Sequence, residues 1–217
     1  MRDTIYTIPI NDVFAPKCGC PVCRLREMLE KRCIDYIMGA AMMEPDIRIE
    51  TNKYGFCKEH FAMLSQQKNR LSLALMLETH IDELLAKHMP PSVKKGAVPV
   101  SETCFVCREI DQAAGKLLDT ALKLYHSDSS FRALFLEQEF FCWEHYELLC
   151  KKAAETMNRK QAAQFTADLT ELVKRYLTGL RGDVHSFSTM FDYRNAESAK
   201  NDEAVKTSIE RAIRFLE

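Results

Sequence analysis

The sequence is poor in the two residues that most often form turns, with only 7 glycines and 7 prolines among 217 residues. A sandwich or barrel of short strands needs many turns, so this scarcity argues against an all-β fold and favours long helices with few connections. The chain also lacks an excess of charge, since 30 Lys and Arg nearly balance 31 Asp and Glu. Without a strongly basic surface to hold phosphates, we expect no nucleic-acid partner.

Long apolar runs are missing as well. No segment approaches the roughly eighteen uncharged apolar residues that suggest a transmembrane helix. The residues before Cys18 contain no apolar run followed by a small-residue cleavage site, which argues against a secretory signal. We therefore expect a cytoplasmic protein without a membrane partner.

Cysteine, by contrast, is frequent, and the nine cysteines follow a pattern. In a reducing compartment such spacing suggests metal ligation rather than disulfides. Two motifs are Cys-x-x-Cys and two are Cys-x-x-His. In chain order they form two sets of three cysteines and one histidine: Cys20, Cys23, Cys57 and His60, then Cys104, Cys107, Cys142 and His145.

Three thiolates and one imidazole are a common ligand set for structural zinc. The spacing therefore predicts two Zn(II) ions, each closing a loop between the two motifs of one set and clamping the beginnings of two helices. Four ligands leave no open position for catalysis. Another metal, including an iron–sulfur cluster, and unmetallated buried cysteines are the alternatives.

The two sets belong to an internal duplication. The gap from Cys23 to Cys57 is 34 positions and that from Cys107 to Cys142 is 35. Apolar residues after each Cys-x-x-Cys motif recur at helical spacing, with an offset of 85 between copies. We predict a first repeat at 1–89, a proline-containing linker at 90–103, a second repeat at 104–182 and a C-terminal tail at 183–217.

Each motif is followed by a helical apolar stripe, so the predicted fold is all-α. We expect two tandem zinc-stapled helical repeats that form a pseudo-twofold bundle, packed through their long amphipathic helices. After Gly182 we expect an irregular aromatic stretch from Phe187 to Arg194 and then a short helix from Asp202 to Phe215. The tail should pack across one or both repeats.

Three further cysteines lie outside the motifs. Cys33 and Cys150 occupy apolar helix positions and are expected in the core. Cys18 is interpreted as a spare thiol in an exposed turn, with an alternate zinc ligand or a redox-labile thiol as the other interpretations.

The motifs CPVC and GFCKEHF, their second copies and the segment FDYRN resemble an uncharacterised group of bacterial proteins, a domain of unknown function in firmicutes and related lineages. The resemblance covers nearly the whole chain, from IPI to RAIRFLE. It implies a bacterial cytoplasmic protein with metal-ligand cysteines at these motifs. It supplies neither an activity nor catalytic residues.

Three functions are compatible with this sequence. The first is a binding or adaptor protein whose rigid zinc-stapled halves form a groove for a protein or a small ligand. The second is a redox or metal sensor that releases zinc when its thiolates are oxidised, with Cys18 as a resolving thiol. The third is an enzyme with an unrecognised pocket, formed by residues such as His185, Tyr193 and Arg194.

Overall fold

The computed structural model describes residues 8–91, 98–190 and 202–217. These residues form α-helices and two 3-10 turns, with no strand among them, so the all-α prediction is confirmed. None of the helices in these ranges has a stretch long and apolar enough to cross a membrane. The helices are α1 (Ile8–Phe14), α2 (Pro21–Met38), α3 (Pro45–Tyr54), α4 (Lys58–Ser65), α5 (Arg70–Lys87), α6 (Phe105–Ser127), α7 (Ser129–Leu136), α8 (Trp143–Thr156), α9 (Arg159–Thr189), α10 (Glu203–Lys206) and α11 (Ser208–Leu216).

The order of helices repeats along the chain. After each Cys-x-x-Cys motif come a long helix, a short helix, the helix of the Cys-x-x-His motif and another long helix, which are α2 to α5 in the first copy and α6 to α9 in the second. The sequence analysis did not predict the short helices α3 and α7. Pro45 begins α3, and Asp128 caps α7 by accepting hydrogen bonds from the backbone N–H groups of Ser130 and Phe131. The shared order supports the duplication.

The chain divides into two compact units that do not follow the sequence repeats. The central unit is Arg26–Gly115, and the terminal unit combines Met1–Leu25 with Lys116–Glu217. The boundaries fall inside α2 and α6. Each unit therefore contains segments from both copies of the duplicated sequence.

The core of the central unit is mostly aliphatic. It gathers residues from α2, α4, α5 and the beginning of α6, together with Phe56 just before α4. Removal of this apolar surface from water is the main force that holds these helices together. Its buried members are Ile34, Ile37, Met38, Phe56, Leu64, Leu73, Met76, Cys104, Phe105, Val106 and Ile110.

The core of the terminal unit is built around aromatic rings. Phe135 stacks on Phe141 with ring centroids 4.8 Å apart, and Tyr125 meets Phe165 edge-on at 4.9 Å. Phe14 of α1 adds an edge contact to this cluster. Such offset and edge-on pairs add to the stabilisation that burial alone provides.

The helix α9 is longer than the sequence suggested. It runs from Arg159 to Thr189 and includes Gly182 and Phe187, where we expected the helix to give way to an irregular stretch. A single glycine costs a helix only about 1 kcal/mol, which the packing of the rest of α9 outweighs. The segment FDYRN, at 191–195, lies outside the described residues.

The C-terminal helix α11 packs on α9 within the terminal unit. Phe215 is fully buried, and its ring stacks on Tyr176 with centroids 5.6 Å apart. An ion pair of 3.0 Å joins Arg211 to Asp183. This described part of the tail is therefore anchored by both apolar and charged contacts.

Candidate metal centres

All four cysteine motifs lie at helix beginnings. The carbonyl of the first ligand accepts the first hydrogen bond of the helix, and the second ligand follows three residues later within the first turn. Both side chains therefore point to the same side of the helix start, where the helix dipole favours a thiolate. The four bonds run from Arg24 N to Cys20 O (3.3 Å), Phe61 N to Cys57 O (2.9 Å), Arg108 N to Cys104 O (3.1 Å) and Tyr146 N to Cys142 O (2.8 Å).

One group of ligands, here called the terminal centre, lies in the terminal unit. It consists of Cys20, Cys23, Cys142 and His145, whose ligand atoms all lie within 4.8 Å of one another. The Nδ1 atom of His145 is 3.6, 3.3 and 2.9 Å from the sulfurs of Cys20, Cys23 and Cys142. The sulfurs of Cys23 and Cys142 are 3.7 Å apart. These four side chains could hold one metal ion.

The other group, the central centre, lies in the central unit. It consists of Cys57, His60, Cys104 and Cys107, again within 4.8 Å of one another. The Nδ1 atom of His60 is 3.1, 3.3 and 3.4 Å from the sulfurs of Cys57, Cys104 and Cys107. This group could hold a second metal ion.

The structure thus brings all eight predicted residues into two groups of four, but the predicted pairing of the motifs was wrong. Each Cys-x-x-Cys motif meets the Cys-x-x-His motif of the other copy, not of its own. Spacing could not distinguish the two arrangements, because duplicated motifs give the same ligand set either way. The loops that an ion would close therefore cross from one copy to the other.

Hydrogen bonds between the preceding segments explain this pairing in the central unit. The backbone N–H of Phe105 donates to the carbonyl of Gly55 at 2.9 Å, and the Thr103 hydroxyl donates to the carbonyl of Tyr54 at 2.7 Å. Gly55 has φ +57°, and a Cβ there would lie 2.8 Å from the ring of His80. Only glycine fits this bend, which brings the Cys57 motif to the Cys104 motif.

The terminal unit uses different bonds for the same purpose. The backbone N–H of Gly19 donates to Glu139 Oε2 at 2.6 Å, which ties the segment before Cys20 to the segment before Cys142. Arg24 donates at 3.2 Å to Gln138, whose amide donates in turn to the carbonyl of Phe14 at 2.8 Å. These side-chain contacts were not foreseen, because no repeat or periodic pattern marks them in the sequence.

Ionisation of the cysteines in both groups depends on burial and on the neighbouring thiols. Burial opposes ionisation of Cys20, but hydrogen bonds from Cys142 and Cys23 prevail and lower its pKa to about 3. Hydrogen bonds to Cys142 and Cys20 raise the pKa of Cys23. Burial, reinforced by Cys104, raises the pKa of Cys107 to about 12. Neighbouring thiolates repel one another, and a divalent cation among them would offset that repulsion.

The carboxylate of Glu30 contacts the ligand His60, and the sequence did not predict this contact. The Nε2 atom of His60 lies 3.0 Å from Glu30 Oε1 on α2, while its Nδ1 atom faces the three sulfurs. The corresponding position of the second copy is Gly115, so the duplication gave no signal for it.

The remaining cysteines lie outside both groups. Cys18 is exposed. Cys33 is half-buried against the central core, and burial raises its pKa to about 12. Cys150 is also half-buried, and burial raises its pKa. None of the nine cysteines, all of which lie in the described ranges, forms a disulfide.

The residues named for an enzymatic pocket are not brought together by the described structure. His185 is exposed on α9. Tyr193 and Arg194 lie outside the described residues.

A comparison with protein families agrees with the duplicated architecture. The profile of one family of unknown function, DUF6062, matches the chain twice, at residues 1–98 and 86–217. The chain belongs to this family. The two matches together span the whole sequence, which confirms the resemblance to an uncharacterised family. Because each match covers one copy, they also support the duplication within this DUF6062 member. No curated protein and no solved structure matches the chain.

Proposed function

We propose that each centre binds one Zn²⁺ ion with four protein ligands and that both ions are structural. The main support for this proposal is the set of distances among the eight ligand atoms. A tetrahedral ion with bonds of about 2.3 Å to sulfur and about 2.0 Å to nitrogen places sulfurs about 3.8 Å apart and nitrogen about 3.5 Å from sulfur. The nitrogen–sulfur distances are 2.9–3.6 Å and two sulfur–sulfur distances are 3.7 and 4.0 Å.

Four ligands on each ion leave no position for a water or a substrate, which supports cross-linking rather than catalysis. An ion in the terminal centre joins residues 119 positions apart, and one in the central centre joins residues 50 positions apart. Structural zinc contributes its binding energy directly to folding, with apparent values of about 10–16 kcal/mol in small zinc domains.

Elemental analysis of the purified protein tests the metal. We expect two zinc atoms per chain, and the same count in a Cys150→Ser control, because Cys150 lies outside both groups. Iron in place of zinc, or a fully folded protein without bound metal, would contradict the proposal.

The proposal extends to a role as a binding or adaptor module, supported by a pocket in the terminal unit. The pocket has a volume of about 470 Å³, in the range of small-molecule sites. Leu122 and Met157 form apolar parts of its wall, and Lys123 makes no ion pair within the described ranges. Asp119 also lines it but pairs with Lys152 at 2.7 Å. An apolar wall beside an ammonium group that forms no ion pair with the described residues suits a small organic acid.

A thermal-shift screen of short-chain carboxylic acids tests this binding role. We expect at least one acid to raise the melting temperature of the native protein, since a ligand that binds only the folded state stabilises it. A Lys123→Glu variant should lose the shift, while Lys151→Glu, which changes an exposed lysine outside the pocket, should keep it. The absence of any shift, or equal shifts in both variants, would contradict the role of Lys123.

We also propose a cytoplasmic location without nucleic-acid or membrane partners. Zinc-bound thiolates persist in a reducing compartment, and the near-balance of charge offers no general attraction to phosphates.

A further inference from the structure

We propose that Glu30 positions His60 for metal binding and thereby makes the central centre the tighter of the two zinc sites. The inference rests on the proposed zinc function. It starts from the 3.0 Å contact between His60 Nε2 and Glu30 Oε1 and from the three sulfurs that lie 3.1–3.4 Å from Nδ1 of the same ring. The imidazole thus lies between a carboxylate and the place of the ion.

The carboxylate acts through the ring. A proton held on Nε2 by Glu30 leaves the lone pair of Nδ1 directed at the sulfurs, which fixes the tautomer that binds metal. The contact also fixes the ring plane and increases the electron density that the imidazole donates. The side chain of His60 is only 5% exposed and that of Glu30 is 31% exposed, so solvent has little access to the ring.

The terminal centre has no such arrangement in the described part of the chain. His145 is as deeply buried as His60, and its Nδ1 atom faces three sulfurs in the same way. Its Nε2 atom meets no carboxylate among the described ion pairs and hydrogen bonds. Glu30 corresponds to Gly115 in the second copy, and glycine has no side chain that could contact the histidine. The two centres have the same types of ligand. Among the described contacts, a carboxylate meets the histidine in the central centre and not in the terminal centre.

A chelator competition on the full-length zinc protein tests the inference. Glu30→Gln removes the charge at unchanged size, and Glu27→Gln changes an exposed glutamate on the same helix as a matched control. We expect Glu30→Gln to weaken one of the two zinc sites by about 10–100-fold, the usual effect of losing such a partner. The Glu27→Gln protein should behave like the parent.

Alkylation followed by mass spectrometry identifies which site has changed. In the Glu30→Gln protein Cys104 and Cys107 should become reactive at lower chelator concentration, with Cys20 and Cys23 unchanged. The melting temperature at saturating zinc should also stay unchanged, which distinguishes positioning of the ligand from support of the fold. Equal weakening of both sites, or no weakening, would overturn the role of Glu30. A parent protein that binds no zinc would instead overturn the proposed function.

Discussion

Cutting the chain between Pro91 and Val98 is expected to leave its two halves bound together for as long as zinc is present. Each centre takes a Cys-x-x-Cys motif from one side of this cut and a Cys-x-x-His motif from the other. Both ions would therefore join the fragments. A protease site introduced at 92–97 allows the cut, and size-exclusion chromatography of the cleaved protein should show one species with two zinc atoms. Addition of a strong chelator should then separate or unfold the fragments.

The uncut protein with the same chelator is the control for loss of folding alone. Two fragments that separate in the presence of zinc, each with one zinc atom, would contradict the pairing across the copies. Fragments that stay folded and together after complete removal of metal would show that the ions are not needed as cross-links.

Replacement of Cys142 by Ser is expected to remove one zinc atom and expose two thiols far away in the sequence. Cys142 shares its group with Cys20 and Cys23, so these two should become reactive toward a thiol reagent. Cys104 and Cys107 should remain protected, although they belong to the same sequence copy as Cys142. We expect a loss of several kcal/mol in the free energy of unfolding, since structural zinc contributes directly to folding.

Cys57→Ser is the matched reciprocal variant. It should expose Cys104 and Cys107 and leave Cys20 and Cys23 protected. Cys150→Ser should change neither pair. If Cys142→Ser instead exposed Cys104 and Cys107, each copy would hold its own ion, as the sequence first suggested.

The helical fold and the four helix beginnings could be predicted because both depend on local spacing. A ligand, two residues and a second ligand fit one helical turn, and the apolar period of 3.6 residues identifies the helix that follows. The apolar period does not show where along its length a helix leaves the core. Ile81 and Leu85, in the second half of α5, are 53% and 59% exposed, because the core contacts of α5 lie in its first half.

The pairing of the motifs could not be predicted, for a reason specific to duplicated sequences. Each copy carries one motif of each kind, so pairing within a copy and pairing between copies satisfy the same pattern. The contacts that decide between them are single hydrogen bonds, such as those from Phe105 N to Gly55 O and from Gly19 N to Glu139. These bonds differ between the two units and leave no periodic signal in the sequence.

Anomalous diffraction from a crystal of the native protein at the zinc absorption edge would locate both ions and identify their ligands. We expect two zinc peaks in the chain, one surrounded by Cys20, Cys23, Cys142 and His145 and the other by Cys57, His60, Cys104 and Cys107. A peak that joins Cys20 and Cys23 to Cys57 and His60, or the lack of any zinc peak in a folded chain, would contradict this expectation.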